Sequence, residues 1–491
     1  MRSIPVAIRL TAVIFFVVTA SVAIAEIRTI TATGEYRMGD NDTRTLAKQQ
    51  ALQDAKRLAL ERAGTYLESV TEVKQFQLSR DEVRLFTAGI VEVTEQITRS
   101  EMEGETTIVR VEVTCQIDTA VMARQIDSLR GNERVTGELR RAHDEATRLQ
   151  QENGTLRQQL ASAKSKPEIE ALQQKRQEVL TDLDVNNLLA QAWVALNGAK
   201  KGSLVRGSSS AAGRTRARGL LEQALMLAPS DARVHSHMGS LLAEEGDLAG
   251  AVAAYQKALR LSPDNVIDRV VDHTNLGAVL ADQGDLEGAI AEYRRALRLK
   301  ADDPITHYNF GKALGAKGDF DGAIAEFRTA LRLSPNESDF HTDLATALSR
   351  KGDLSGAIAQ YRKALRLNPD NAAAHTNFAT TLYQKGDLSG AIGEYRAALR
   401  LNPDDADAHH NLGAVLSDKW DFSGAIVEFR AALRLNPNYA GTYFNLGKAL
   451  LAKGQRAKAA REFREYLRLA PQTPAEQEYI QEARATLRKL E

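Results

Sequence analysis

One feature limits what this chain can fold into more than any other. The stretches GDLEGAIAEYRRALRL, GDFDGAIAEFRTALRL, GDLSGAIAQYRKALRL and GDLSGAIGEYRAALRL follow one another at a spacing of 34 residues. Gly239, Gly277, Gly311, Gly413 and Gly447 recur in the first half of the unit, and Ala251, Ala289, Ala323, Ala357, Ala391 and Ala425 open the second half. Pro229, Pro263, Pro335, Pro369, Pro403, Pro437 and Pro471 close it. In one unit Leu276, Leu280, Ile290, Tyr293 and Ala296 carry the apolar pattern. A unit of this length holds two antiparallel helices. One such pair cannot bury its apolar face alone, so neighbours must stack and build a one-dimensional core.

These copies resemble tetratricopeptide repeats. About seven full repeats cover 232–473, preceded by a degenerate or split repeat at 184–231 and followed by a capping helix at 474–491. The stretch Asn197 to Arg214, NGAKKGSLVRGSSSAAGR, reads as a flexible loop within the split repeat. The resemblance implies an all-α superhelix, an alpha solenoid whose concave groove is lined by the first helix of each pair and takes a protein or peptide ligand. Three departures stand out. Four residues near VIDR are inserted between the first two full repeats, Ala301 stands in place of a terminal proline, and Trp420 replaces the glycine of the interhelix turn. If that turn needs positive φ, a bulky residue there costs roughly 1 kcal/mol or more.

Two polar ladders run through the repeats. His235, His273, His307, His341, His375 and His409 share one place, which in the resembled family usually holds a large aromatic wedged between the paired helices. Metal binding would need converging ligands at helical spacings of three or four. Each repeat offers one ladder histidine, so a packing wedge is the better expectation and no metal site is assigned. Asn275, Asn309, Asn377, Asn411 and Asn445 stand two residues after the ladder histidine, with His237 and Asp343 filling the gaps. Two residues is about 200° around a helix. If histidine points inward, asparagine points to the groove, where its donor and acceptor match a backbone amide. The pattern is similar to the asparagine ladders of peptide-binding helical-repeat superhelices, including the repeats of the O-linked N-acetylglucosamine transferase, whose catalytic domain has no counterpart here. The alternative is hydrogen bonding of the asparagines between repeats. Tyr308, Thr342, Thr376, Tyr383 and Phe444 are expected to line the same groove. It lacks the basic residues of a carboxylate clamp. A further stripe, Arg298, Arg332, Arg366, Arg400 and Arg434, reads as a solvated outer face, with binding of acidic polysaccharide or lipid headgroups as the sharper alternative.

The remainder of the 491 residues is organised differently. Arg2 and Arg9 precede an apolar run from Leu10 to Ala25 that ends in Ala23-Ile24-Ala25, so residues 1–25 read as a secretory signal cleaved before Glu26, with an uncleaved anchor as the alternative. A periplasmic or secreted protein without a membrane span after cleavage is the expectation. Residues 26–120 alternate strand and helix signals in the order β-α-β-α-β-β, an α+β domain with a hairpin around EMEGE and Cys115 as a small buried residue. Leu46, Ala55, Leu58, Ala59 and Ala63 mark the buried side of its long helix. The stretch ATGEYRMGDNDTRTLAKQQALQDAKRLALERAGTYLESVTEV resembles the envelope domain of certain small lipoproteins and the N-terminal part of flagellar assembly protein T. That resemblance implies a non-catalytic envelope domain.

Residues 121–183 place Leu139, Ala142, Ala146, Leu149, Asn153, Leu156, Leu160 and Ala163 at heptad a and d positions. This reads as a coiled-coil stalk capable of self-association, with Asn153 fixing register. The formal net charge of +0 gives no support for a nucleic-acid partner. No catalytic order, phosphate loop or cofactor fingerprint is present, so neither an enzyme nor a cofactor is expected. The resulting expectation is a non-enzymatic exported scaffold, with an accessory role in envelope polysaccharide or flagellar-type assembly as the alternative.

Overall fold

A computed structural model describes residues 27–69, 93–104, 106–118, 133–197, 210–262 and 264–490. The signal segment, the expected strand TEVKQFQL, the expected helix SRDEVRLFTAGI and most of the glycine- and serine-rich loop lie outside the described residues. The described elements fall into two compact units, and the chain is a small α+β region followed by helices.

The first unit begins with β1 (Ile27–Arg37), α1 (Arg44–Ser69), β2 (Val93–Glu103) and β3 (Thr106–Asp118). The sheet order is β1-β3-β2, antiparallel throughout, and β2 and β3 form the expected hairpin around Gly104 at φ 66. Val109, Val111, Val113 and Cys115 alternate onto one face and are buried. Helix α1 covers that face through Ala47, Ala51, Ala55, Ala59 and Ala63, all fully buried. An alanine every fourth residue makes a flat stripe that lets the helix lie close to the strands. Leu46 is buried as expected, whereas Leu58 is half-buried. The Cys115 thiol sits against the Ile30 carbonyl, and burial pushes its pKa up.

Helices α2 (Glu133–Ser162) and α3 (Lys166–Asn197) form an antiparallel hairpin, turned at residues 163–165 with Pro167 in the first turn of α3, where a missing N–H costs nothing. The heptad seam does not project as a separate stalk. Leu149 and Leu156 pack on Val179 and Leu183 of the same chain. Asn153 donates to Gln50 on α1 at 2.6 Å and accepts from Arg176 on α3 at 3.0 Å. The apolar seam read as a self-association surface is therefore occupied from within, because α3 offers the complementary face one turn away in sequence. Helix α3 runs unbroken through residue 184, and it pairs with α4 (Ala211–Leu227) of the same unit where the degenerate or split repeat is expected.

Arg176 is fully buried and knots this unit together. Its guanidinium donates to Asp42 at 2.9 Å, Tyr36 at 3.0 Å, Gln50 at 3.1 Å and Asn153 at 3.0 Å. Four elements, β1, the β1–α1 turn, α1 and the α2–α3 hairpin, thus converge on one side chain.

The second unit contains seven helix pairs among the described residues. They are α5 (Ala232–Glu245) with α6 (Leu248–Leu261), α7 (Val266–Asp282) with α8 (Leu286–Leu299), α9 (Pro304–Lys317) with α10 (Phe320–Leu333), and α11 (Ser338–Lys351) with α12 (Leu354–Leu367). They continue as α13 (Ala372–Gln384) with α14 (Leu388–Leu401), α15 (Ala406–Asp418) with α16 (Phe422–Leu435), and α17 (Ala440–Ala452) with α18 (Arg456–Leu469). Helix α19 (Gln477–Leu490) caps the stack through Ile480, Ala483 and Leu487. The residues inserted at VIDR lengthen α7 by one turn and leave Val266 and Ile267 exposed.

One core runs from Ala289 to Leu487, and a smaller one of Ala251, Tyr255, Leu276 and Val279 joins the first two pairs. Each second helix presents a fully buried alanine and a buried aromatic, such as Ala323 with Phe327 or Ala357 with Tyr361. Small residues on the first helix accept those rings, and a Cβ added at Gly277 would lie 2.8 Å from Tyr293. The interhelix turns do need the left-handed region. Glycines 246, 284, 318, 352, 386 and 454 adopt φ between 72 and 92, and Trp420 adopts φ 63 in the equivalent place while remaining largely exposed. Asp247, Asp285, Asp319, Asp353, Asp387 and Asp421 then cap the first six second helices by accepting the amide three residues on, whereas Gln455 at the start of α18 makes no such bond.

Removing one partner of a buried ion pair strands the other, at a cost of about 3–5 kcal/mol. Arg176→Met is therefore expected to lower the denaturant stability of the first unit by that amount and to leave the repeat unit unchanged. Adding Asp42→Asn should recover part of the loss, as read by amide hydrogen exchange resolved by segment in the full chain.

Candidate partner-binding groove

The two ladders sort onto different faces of the first helices. In α9, α11, α13 and α15 the histidine Nδ1 faces a side chain of the paired second helix, and Nε2 faces the carbonyl six residues earlier. His307 meets Glu326 at 2.6 Å and Ala301 O at 2.9 Å. His341 meets Gln360 at 2.8 Å and Pro335 O at 3.1 Å. His375 meets Glu394 at 2.6 Å and Pro369 O at 3.1 Å, and His409 repeats this with Glu428 and Pro403 O. His273 keeps the second-helix contact, with Glu292 at 2.7 Å, and His235 keeps the carbonyl contact, with Pro229 at 2.9 Å. Where both nitrogens face oxygen acceptors, a metal could bind the ring only by displacing one of them. The histidine is a clasp that ties the entering loop and both helices of a repeat.

The acidic half of the clasp was not singled out from the sequence. Its signal was present all along, because a Glu or Gln stands 19 residues after each ladder histidine from His273 to His409.

Two residues beyond each histidine the asparagines face away from the clasp. Asn377 is exposed, and Asn309, Asn411 and Asn445 are half-exposed. Among the described residues the side-chain amides of these four form no hydrogen bond within the chain, so they do not bridge repeats. Asn275 differs, having a partner within the chain. Asp343, which fills the gap between Asn309 and Asn377, accepts a hydrogen bond from Tyr308 at 2.6 Å, and burial raises its pKa.

Several residues expected in the groove belong instead to the seam between repeats. One residue beyond the histidine is about 100° around the helix, which turns the side chain toward the next first helix. Tyr308 is buried there, stacked on Phe340 at 4.4 Å. Thr342 is buried and donates to the Ser338 carbonyl at 3.0 Å. Phe444 is buried among Phe463, Tyr466 and Tyr479. His410 stacks on Tyr439 and meets Thr442 at 2.7 Å, with its pKa lowered by burial. Thr376 sits at the same place, half-buried, with a hydroxyl oxygen that has no partner. Tyr383 is half-buried and reaches the next repeat, donating to Asp418 at 2.5 Å. The structure thus brings together Asn309, Asn377, Asn411 and Asn445 as an open row, with Tyr383 beside it, and withdraws Tyr308, Thr342, Phe444 and the hydroxyl of Thr376.

Models of the tetratricopeptide repeat match residues 210–266, 277–318, 308–372, 360–393, 379–419, 421–454 and 440–473, together just over half of the chain. The chain belongs to the tetratricopeptide-repeat family. No curated protein matches it by sequence. Among solved structures it is similar to MamA of Desulfovibrio magneticus RS-1, at 22% identity over 35% of this chain and 97% of that one, with a TM-score of 0.33. It is also similar to YrrB, described as a TPR protein with an unusual peptide-binding site, at 25% identity over 41% of this chain and 99% of that one, TM-score 0.34. A tetratricopeptide-repeat protein of Parabacteroides merdae ATCC 43184 shares 17% identity over 53% of this chain and 98% of its own, TM-score 0.40.

The seam between the first two repeats holds an acid of unusual character. Asp272 is 1% exposed, and burial, offset by a hydrogen bond from Ser236 and reinforced by Asp268, raises its pKa to about 7. Below about pH 4 the folded and unfolded chains both hold this proton. Between about pH 4 and 7 only the unfolded chain releases it, so this residue's contribution to stability falls as pH rises, by at most about 1.4 kcal/mol per unit, and levels off above 7. Asp272→Asn removes that slope. Urea denaturation of the repeat unit at pH 5 and pH 8 should show the variant gaining on the parent protein as pH rises between the two.

Proposed function

We propose that this chain is a non-enzymatic scaffold that holds an extended protein segment along the row Asn309, Asn377, Asn411 and Asn445. The observation that carries this reading is the row itself: four amides in register, directed away from the histidine clasps, with no partner of their own. An amide offers a donor and an acceptor, which is what a peptide backbone requires, and regular spacing along a solenoid suits an extended chain whatever its side chains. Tyr383 flanks the row and adds aromatic contact.

The scaffold acts in the cell envelope, either in the periplasm or secreted. The basic start and apolar run ending at Ala25 support export, and no described helix is long and apolar enough to cross a membrane. The α+β region, similar in sequence to an envelope domain of small lipoproteins and flagellar assembly protein T, serves to position the scaffold there.

The test replaces Asn309, Asn377 and Asn411 together with alanine. Each net hydrogen bond contributes about 0.5–1.5 kcal/mol. Three losses imply a fall in partner affinity of about 10- to 2000-fold. The melting temperature should stay within a degree or two, since these residues fill no cavity. His375→Ala with His409→Ala should do the reverse, lowering stability and sparing affinity per folded molecule. Binding that survives the asparagine change would reject the groove.

A further inference from the structure

A second surface lies on the second helices, and it is cationic without compensation. Arg328 and Arg332 on α10, and Arg362 and Arg366 on α12, are exposed at positions i and i+4 of one helix face. Helices α14 and α16 repeat the pair as Arg396 with Arg400 and Arg430 with Arg434. Among the described residues none of these guanidiniums takes part in a hydrogen bond or ion pair within the chain; Arg430 alone lies near enough to a carboxylate, that of Glu462, to influence it.

The acids that should balance this face are used elsewhere. Glu326, Glu394 and Glu428 are held by the histidine clasps, and Asp321 is paired with Lys351 of the next repeat. Helix α12 carries Gln360 in the clasp and no acidic residue at all. Like charges at i and i+4 destabilise a helix by about 0.2–0.5 kcal/mol per pair. The chain repeats this arrangement four times in register. Ala325, Ala359 and Gly393, exposed three residues before the first arginine of the first three pairs, leave those forks unobstructed; Val427 holds that place in the fourth.

We infer that this face binds a linear acidic polysaccharide whose carboxylates are taken up by successive arginine pairs. A planar fork matches a carboxylate with two parallel hydrogen bonds. A polymer with a charge on every sugar can meet one pair per repeat along the stack. Nucleic acid is disfavoured because no aromatic side chain interleaves the arginines to stack on bases, and no element is shaped to enter a groove. A lipid surface is disfavoured because the exposed large apolar side chains on these four helices, Leu367, Leu401 and Val427, stand singly, no more than one to a helix, too little to anchor in a bilayer. The site is separate from the asparagine row and does not depend on the peptide reading.

Polygalacturonate tests it, with the full chain immobilised and binding followed at low and physiological salt. Saturable binding that weakens with salt is expected, with no response to a neutral polysaccharide such as dextran. Arg362→Gln, Arg366→Gln, Arg396→Gln and Arg400→Gln together should lower affinity about tenfold or more without lowering the melting temperature, and the matching four lysine changes should recover only part, because charge returns without the fork. Three results would overturn the proposal: no binding at low salt, binding unaffected by the glutamine changes, or equal or tighter binding of single-stranded DNA or phosphatidylglycerol vesicles.

Discussion

The repeat unit depends on one constraint: a helix pair exposes an apolar face that only another pair can cover. Stacking satisfies it by placing Ala323, Ala357, Ala391 and Ala425 at zero exposure and seating the aromatic four residues on against its neighbours. Because every pair meets the next in the same way, each position in the 34-residue unit acquires one fixed environment. The histidine faces the clasp, the next residue faces the seam, and the one after it faces open space. A step of about 100° per residue does the sorting. Function is then a matter of which polar groups the sorting leaves without partners.

Seen in that way, the two unpartnered sets stand out against a background of satisfied ones. The histidines are bonded, the capping aspartates hold backbone amides, and Tyr308, Tyr361 and Tyr395 share their hydroxyls with Asp343, Thr346 and Thr380. Buried polar groups in native proteins are paired, so the paired ones describe architecture. What remains is the asparagine row on the first helices and the arginine pairs on the second. The clasp connects the two sets physically. By drawing Glu326, Glu394 and Glu428 toward the histidines, it leaves the guanidiniums of the same helices without a counter-charge.

Much of this was legible in the sequence, and the exceptions have physical causes. The repeat period, the helix pairs, the capping helix and the left-handed turn at Trp420 all follow from local spacing and backbone preference. So did the separation of His from Asn, because two residues on a helix fix an angle whatever the surroundings. Tyr308, Thr342 and Phe444 were misplaced because the seam position is set by the superhelical offset between repeats, which a linear pattern does not contain. The heptads of residues 139–160 were read correctly as an apolar seam, yet the sequence does not say which surface fills it. Arg176 decides that, and a lone arginine among many polar residues announces nothing until Tyr36, Asp42, Gln50 and Asn153 are brought around it. The second arginine column, Arg328 to Arg430, was visible as text and missed because charge on a helix surface is ordinarily solvated.

The central claim is that the open asparagine face is where the protein partner lies. A photoreactive amino acid placed at Asn377, on that face, and in a second variant at Ala359, on the outer face of α12, tests it most directly in the living cell. The account predicts a discrete crosslinked protein from position 377 and none from position 359. Crosslinks from 359 with silence at 377 would contradict it and move the protein-binding function to the opposite side of the stack.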